Sequence, residues 1–321
     1  MPSILLEDKQ CYSVRFSPNN DSLLAVATCE CYGVVGGGTL FLLEITPTDT
    51  LKEILKFQYK SSLFDVEWCD CNPNPALVLT AGGDGSLQLW NVFAPKRNPI
   101  LLTGHTCEVR TVNWSRILNK VLSGSGDCTV RLWDLSRHHT LQTFQGFGDV
   151  VYQVEFHPKL PDIFSSVDGE GFLKIWDIRS NPTPVCQIPA HISYTPSCTW
   201  SYYEDNTIAT GGGDGFIRGW DTRNSTSPFF ELGPVYAPLK KIMYSPFSYG
   251  LLASTSDDGN TRVWNCFDTH KPVDIRCNHA YPCGLDWNTA TTTAHLGQLV
   301  DCGWNGNVCI YYPKTKLEVK K

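Results

Sequence analysis

Long apolar runs are missing from this chain. No stretch of its 321 residues approaches the roughly 18–20 needed to cross a bilayer. The opening MPSILLEDKQ lacks the basic segment and apolar core of an export signal, so the expectation is a cytosolic chain with no direct membrane span. Charge is sparse as well. Charged residues make up 18%, against roughly 25% in an ordinary soluble domain. Acids outnumber bases by 32 to 26, a balance that argues against nucleic-acid phosphate as the main ligand. Three catalytic signatures are absent: H-E-x-x-H, G-x-S-x-G and the phosphate-binding G-x-x-x-x-G-K-[ST]. The reading is therefore not an enzyme. Cysteine is plentiful, at 14 residues, but no C-x-x-C pair occurs. Cys29 and Cys31, like Cys69 and Cys71, are separated by one residue only, with no histidine pair at zinc-ligand spacing. Free thiols, with no metal and no cofactor, are expected.

Ten tryptophans and 26 glycines are present, and they recur together. A Gly/Asp-rich turn followed by a short strand ending in Trp-Asp or Trp-Asn closes at Trp90, Trp133, Trp176, Trp220 and Trp264. Degenerate copies close at Leu43 and Tyr311. The seven anchors lie 43 to 47 residues apart, close to the roughly 40–45-residue period of WD repeats. Upstream of each turn a second apolar strand ends in an aromatic residue, as in Val66–Trp68, Val112–Trp114 and Val154–Phe156. Alternation marks half-buried strands, and no helix-length 3.6-residue pattern appears. Seven units of four strands give an all-β, seven-bladed WD40 β-propeller spanning residues 1–321 as a single domain. Residues 1–9 are expected to supply the closing strand of the last blade, since an open ring would expose strand edges.

Polar residues of the repeat read first as structure. His105, Ser123, Asp127 and Trp133 in blade 3, and His191, Thr210, Asp214 and Trp220 in blade 5, have the composition of a buried hydrogen-bonded set. They are not a catalytic triad. Blade 4 carries Phe147 and Glu170 at the His and Asp positions and is expected to be less rigid. The Gly-rich segment from Gly33 to Gly38 opens no helix, so a tight turn is preferred to a phosphate cradle.

Recognition on a rigid scaffold remains. Rim positions fall four and six residues before each inner-strand aromatic, and immediately before the turn Asp. They give Tyr12, Phe64, Glu108, Arg110, Tyr152, Tyr194, Tyr281, Asp257 and Trp304. Aromatics with a few charges have the composition of an interface hot spot, suited to a peptide or amphipathic helix laid across the face.

Further segments stand beside the anchors, Tyr12–Pro18, Ala27–Gly38, Leu63–Trp68, Phe230–Leu232, Cys283–Trp287 and Asp301–Trp304, and several matches among them, such as Leu63–Val66 and Cys283–Trp287, lie outside the generic repeat. With Gly83–Trp90 and Gly215–Asp221, they resemble the receptors for the type 2 peroxisomal targeting signal. That resemblance implies a receptor in the cytosol, shuttling to the peroxisome matrix. It would bind an N-terminal signal of the form basic–apolar–five residues–His/Gln–apolar on matrix enzymes. It also implies a co-receptor (the long form of the type 1 signal receptor, or a dedicated fungal protein) and peroxisomal docking proteins. On a helix the signal's first, second, eighth and ninth residues share one face. Glu108 matches an acidic position of the family and is the first choice to pair with the basic residue, with Asp65 and Asp257 behind it. Phe64, Tyr152, Tyr281 and Trp304 would cover the apolar side chains. Gly126 and Tyr194 depart from the family, which often has an aromatic and an acidic residue there. The alternative is a WD-repeat adaptor for another peptide, such as a histone tail or a ubiquitin-ligase substrate.

Overall fold

The computed structural model describes residues 2–71, 74–115, 117–180, 182–268, 271–277, 280–289 and 296–314, with backbone only at 70, 71 and 74–76. The charged tail beyond Lys314 lies outside the described residues. Seven four-stranded antiparallel sheets form the blades of a β-propeller. In chain order their inner strands are Gln10–Phe16, Leu63–Cys71, Val109–Ser115, Val151–Phe156, Ser197–Trp200, Leu239–Tyr244 and Pro282–Trp287. Among the described residues the only helical element is a 3-10 turn at Cys31–Gly33.

The apolar face of each blade can be hidden only against its neighbour. Seven hydrophobic clusters follow, one at each blade–blade interface. The one between blades 3 and 4 is representative: Leu122, Leu132 and Phe144 pack on Val154, Phe156, Phe164 and Trp176. The ring closes with Ser3–Leu5 as the outer strand of blade 7, Ser3 opposite Cys309 and Leu5 opposite Asn307. Leu6 is buried in the cluster joining blades 7 and 1.

Each anchor tryptophan ends in a polar atom that burial would strand without a partner. The indole Nε1 of Trp90, Trp133, Trp176, Trp220 and Trp264 donates to Thr80, Ser123, Ser166, Thr210 and Ser254 at 2.8–2.9 Å. In blade 3 the hydroxyl of Ser123 also meets His105 Nε2 at 2.7 Å, and His105 Nδ1 meets Asp127 at 2.8 Å. Blade 5 repeats this through Thr210, His191 and Asp214, each contact at 2.9 Å. Burial pushes the His105 imidazole below its usual value, against the pull of Asp127. These groups satisfy one another inside a blade. At the blade 5 turn, Gly215 has φ +80°, and an added Cβ would lie 1.9 Å from the Val235 carbonyl oxygen, so glycine is required there.

Blade 4 is held in another way. The places left by the missing His and Asp are filled by a buried ion pair. Lys174 Nζ lies 2.8 Å from Asp168, donates to the Gly146 carbonyl at 2.9 Å and sits 4.5 Å above the Phe147 ring. The two side chains are 2% and 0% exposed. Asp168 Oδ1 also accepts from the Glu170 and Phe172 amides, so one carboxylate orders the whole turn. A buried pair that loses one partner costs about 3–5 kcal/mol. Lys174→Met is therefore expected to lower the denaturation midpoint strongly, while Glu170→Gln on the exposed turn stays within about 0.5 kcal/mol. Equal midpoints for the two variants in parallel melts would remove the pair from its structural role. Deleting residues 2–6 unpairs the outer edge of blade 7 and uncovers the Leu6 cluster, and is expected to lower the melting temperature in the same assay.

Candidate binding face

Six of the seven inner strands carry a β-bulge near their start. The register jumps between Cys11 and Ser13, Leu63 and Asp65, Val109 and Thr111, Val151 and Gln153, Leu239 and Lys241, and Pro282 and Gly284. The inserted residues are Tyr12, Phe64, Arg110, Tyr152, Lys240 and Cys283. In blade 5, Pro196 stands at the matching place, just ahead of the inner strand. All seven line a cavity of about 450 Å³ at one mouth of the central channel. A bulge turns an extra side chain out of the regular alternation, and here it aims one side chain per blade at the propeller axis.

The face has two kinds of surface. An aromatic arc runs over blades 7, 1 and 2. Trp304 is its hub, with the rings of Tyr12, Tyr32 and Tyr281 at 5.6, 5.4 and 5.3 Å, and Tyr12 meets Phe64 edge-on at 5.3 Å. Tyr281 stays half exposed, and Trp304 Nε1 is buried without a partner among the described residues. Across the mouth, Tyr152 and Tyr194 pair at 5.7 Å. Between these aromatic patches stand two ion pairs, Arg110–Glu108 at 3.1 Å on blade 3 and Lys240–Asp257 at 3.2 Å on blade 6. The Arg110 guanidinium also lies 4.6 Å from the Phe64 ring centroid, a cation–π contact that fixes its direction.

Local charges follow from these contacts. Burial pushes Glu108 up, but hydrogen bonds from Cys107 and the Arg110 charge outweigh it, and the carboxyl is held below its usual value. Lys240 is held above its usual value by Asp257, in spite of burial. Burial raises the Tyr152 phenol and carries the Cys283 thiol to about 12, so both are neutral at pH 7.

Of the residues expected from sequence, Tyr12, Phe64, Asp65, Arg110, Tyr152, Tyr194 and Trp304 line the one cavity. Glu108, Asp257 and Tyr281 border it through Arg110, Lys240 and Trp304. Asp65 is placed differently from its expected role. It is 6% exposed, and its carboxylate accepts from Ser13 Oγ at 2.7 Å, Val66 N at 2.9 Å and Val112 N at 3.0 Å. It ties blades 1, 2 and 3 together and has little left for a ligand. At Gly126, a Cβ would meet the Glu108 carboxyl at 3.0 Å, and at Gly213 the Tyr194 ring at 2.5 Å. The small residues before these turns leave room for the two side chains to lie over them.

Lys240, Lys241, Cys283 and Tyr32 were not expected. Lys240 and Cys283 stand four residues before Tyr244 and Trp287, the same offset that yields Tyr12, Phe64, Arg110 and Tyr152, so the pattern already pointed to them. Tyr32 arrives from the Cys31–Gly33 turn, with left-handed φ values of 46° at Cys31 and 58° at Tyr32. The turn is held over the mouth by Tyr12 OH donating to the Tyr32 carbonyl at 2.9 Å and by the Tyr32 amide donating to Gln10 at 3.1 Å. Among the described residues no three His, Cys, Asp or Glu side chains are grouped to hold a metal ion.

Residues 55–91 and 97–134 match the family model of the WD domain, G-beta repeat. The human peroxisomal targeting signal 2 receptor is 38% identical over 159 residues, 48% of each chain, and the mouse protein of the same name is 37% identical over 158 residues, again 48% of each chain. The Saccharomyces cerevisiae receptor is 29% identical over 232 residues, 63% of this chain and 61% of its own. The chain thus spans about half the length of the human and mouse relatives it matches.

The three hydrogen bonds of Asp65 generate a test of its role. Asp65→Ala strands two backbone amides at about 1–3 kcal/mol each at most. It is expected to lower the melting temperature of the free protein, with Asp65→Asn intermediate. An unaltered melt for Asp65→Ala would return this carboxylate to the set of available ligand partners.

Proposed function

We propose that this WD-repeat propeller, similar to the type 2 peroxisomal targeting signal receptors, is itself such a receptor and takes the N-terminal signal of peroxisomal matrix enzymes on its bulge-lined face. The carrying observation is the order of surfaces around the mouth: an aromatic arc flanked by a carboxylate on blade 3 and another on blade 6. A helical signal of basic–apolar–five residues–His/Gln–apolar form has that complement on one side, apolar residues for the arc and one cation for an acid. Nine helical residues extend about 13–14 Å at 1.5 Å each, the scale of a propeller mouth.

Glu108 receives the basic residue. It is anionic and its side chain is 28% exposed, with Oε1 accepting from Arg110 at 3.1 Å and Oε2 from the weak Cys107 thiol donor. Asp257 is the second acceptor, with Oδ2 on Lys240 and Oδ1 unpartnered among the described residues. Tyr12, Phe64, Tyr281 and Trp304 cover the apolar side chains. A bound helix leaves its outer side open for the co-receptor, and the loaded complex then meets the docking proteins at the peroxisome. The receptor role places the free protein in the cytosol. No described helix is long and apolar enough to cross a membrane.

A charge-assisted hydrogen bond contributes about 1.5–3 kcal/mol. Glu108→Lys removes it and adds a repulsion, so affinity for a fluorescent signal peptide is expected to fall at least about tenfold in anisotropy titration, with the circular dichroism spectrum unchanged. Retained affinity would refute the pairing. Capture of a reporter carrying the signal, with none of the same reporter carrying the scrambled signal, tests the receptor reading as a whole. Equal capture of both would favour an adaptor for some other peptide.

A further inference from the structure

The cavity under the aromatic arc is lined by three cationic side chains, Arg110, Lys240 and Lys241, against a single carboxylate, Asp65. In both rim ion pairs the basic member, Arg110 or Lys240, lines the cavity, while Glu108 and Asp257 lie outside its lining. Each pair is therefore a dipole with its positive end toward the axis. Directly after Lys240 comes Lys241, which also lines the cavity. Among the described residues its ammonium makes no hydrogen bond or ion pair, and burial together with Arg15 pushes its pKa down. Two acids stand near it. Asp65 is occupied by three hydrogen bonds. Glu155, lower in the channel, is carried up to about 7 by burial, which weakens it as a counter-charge. Arg15 is held by Asp286 at 3.2 Å and Glu67 at 3.8 Å.

Which part of a docked helix sits above these cations follows from helix geometry. At about 100° per residue, the first, second, eighth and ninth residues of the signal cluster about a direction that the fifth residue shares. The fifth side chain therefore points straight into the cavity.

We infer that Arg110, Lys240 and Lys241 are specificity-determining residues that bar a basic side chain from the centre of the docked helix. The face then reads one cation at the end of the signal, where an acid waits on the rim, and none at its middle. This rests on the receptor reading given above. A cation at the centre would be desolvated beside three like charges, and the one carboxylate in the lining, Asp65, is already taken by three hydrogen bonds; burying an unpaired charge is among the largest penalties in recognition. A neutral or acidic central residue meets no such barrier.

The test is an anisotropy series with three signal peptides that differ only in Gln, Glu or Lys at the fifth position, titrated with the full chain, Lys241→Met and Lys241→Arg. On the unaltered protein the Lys peptide is expected to bind at least about tenfold more weakly than the Gln peptide. The ratio is expected to shrink in Lys241→Met and to persist in Lys241→Arg. Raising salt from about 50 to about 500 mM on the unaltered protein should also narrow it, because screening shortens the reach of the cations; this arm stands even if a variant does not fold. Lys and Gln peptides binding within about twofold, a gap indifferent to salt, or one that survives Lys241→Met would each overturn the inference while the receptor reading stands. No binding of the Gln peptide would sink the receptor reading and this inference with it.

Discussion

One inserted residue in six of the seven inner strands is what the rest of the candidate binding face depends on. In a regular strand successive side chains point to opposite sides. Here consecutive residues line the same cavity in six blades: Tyr12 and Ser13, Phe64 and Asp65, Arg110 and Thr111, Tyr152 and Gln153, Lys240 and Lys241, Cys283 and Gly284. Only a bulge permits that. The first member of each pair presents a large or charged group at the mouth. The second lies nearer the channel wall, and in blades 1, 2 and 4 it bonds to another blade: Ser13 to Asp65, Asp65 to the Val112 amide and Gln153 to the Cys198 carbonyl. Without the bulge each blade would offer the axis one side chain or the other, and the division between recognition and support would collapse.

Support is needed because the inner strands are edges. Each has a neighbour on one side only, so its outward-facing amides would be left facing a narrow channel. The second member of the pair, or a residue two positions further on, reaches across to the next blade. Asp65 binds the Val112 amide at 3.0 Å, Asn113 the Phe156 amide at 2.8 Å, Ser197 the Ile242 amide at 3.0 Å and Asp286 the Phe16 amide at 2.8 Å. The Asp65 and Asp286 carboxylates and the Ser197 hydroxyl are thereby committed to joining neighbouring blades. Asp65, Ser197 and Asp286 therefore bind neighbouring blades, and the cations beside them are left to act on whatever lies above.

The fold was legible because its signal is repetitive. A Trp every 43 to 47 residues after a Gly/Asp turn admits few other architectures, and the indole-to-hydroxyl bonds show what the repetition conserves physically. The rim was legible in part, since a fixed offset from the inner-strand aromatic follows from strand geometry. Three things were not. The bulge is a property of pairing register, invisible in one strand's sequence, so Asp65 read as a free acid and Lys241 did not read as a cavity residue at all. The blade 4 ion pair was hidden because Lys174 sits where other blades carry Gln, Arg, Phe or Cys, and nothing local marks a lysine as buried. Tyr32 depends on two left-handed residues and a contact from Gln10, a long-range arrangement with no periodic trace.

Tryptophan gathers these distinctions into one comparison. Nine of the ten are inner-strand residues or blade anchors, and all nine are less than 9% exposed. Trp304 precedes the turn of blade 7, whose anchor is Tyr311, bonded through its hydroxyl to Asp301 at 3.2 Å. Blade 7 is also the blade closed by a strand from the other end of the chain. Its anchor site, occupied by tyrosine, is satisfied by a carboxylate that Thr261 of blade 6 also binds at 2.7 Å, so the Trp304 indole is free of that duty. Packed among three tyrosines, it gives the aromatic arc a rigid centre. Its ordering entropy is lost when the chain folds, before any ligand arrives.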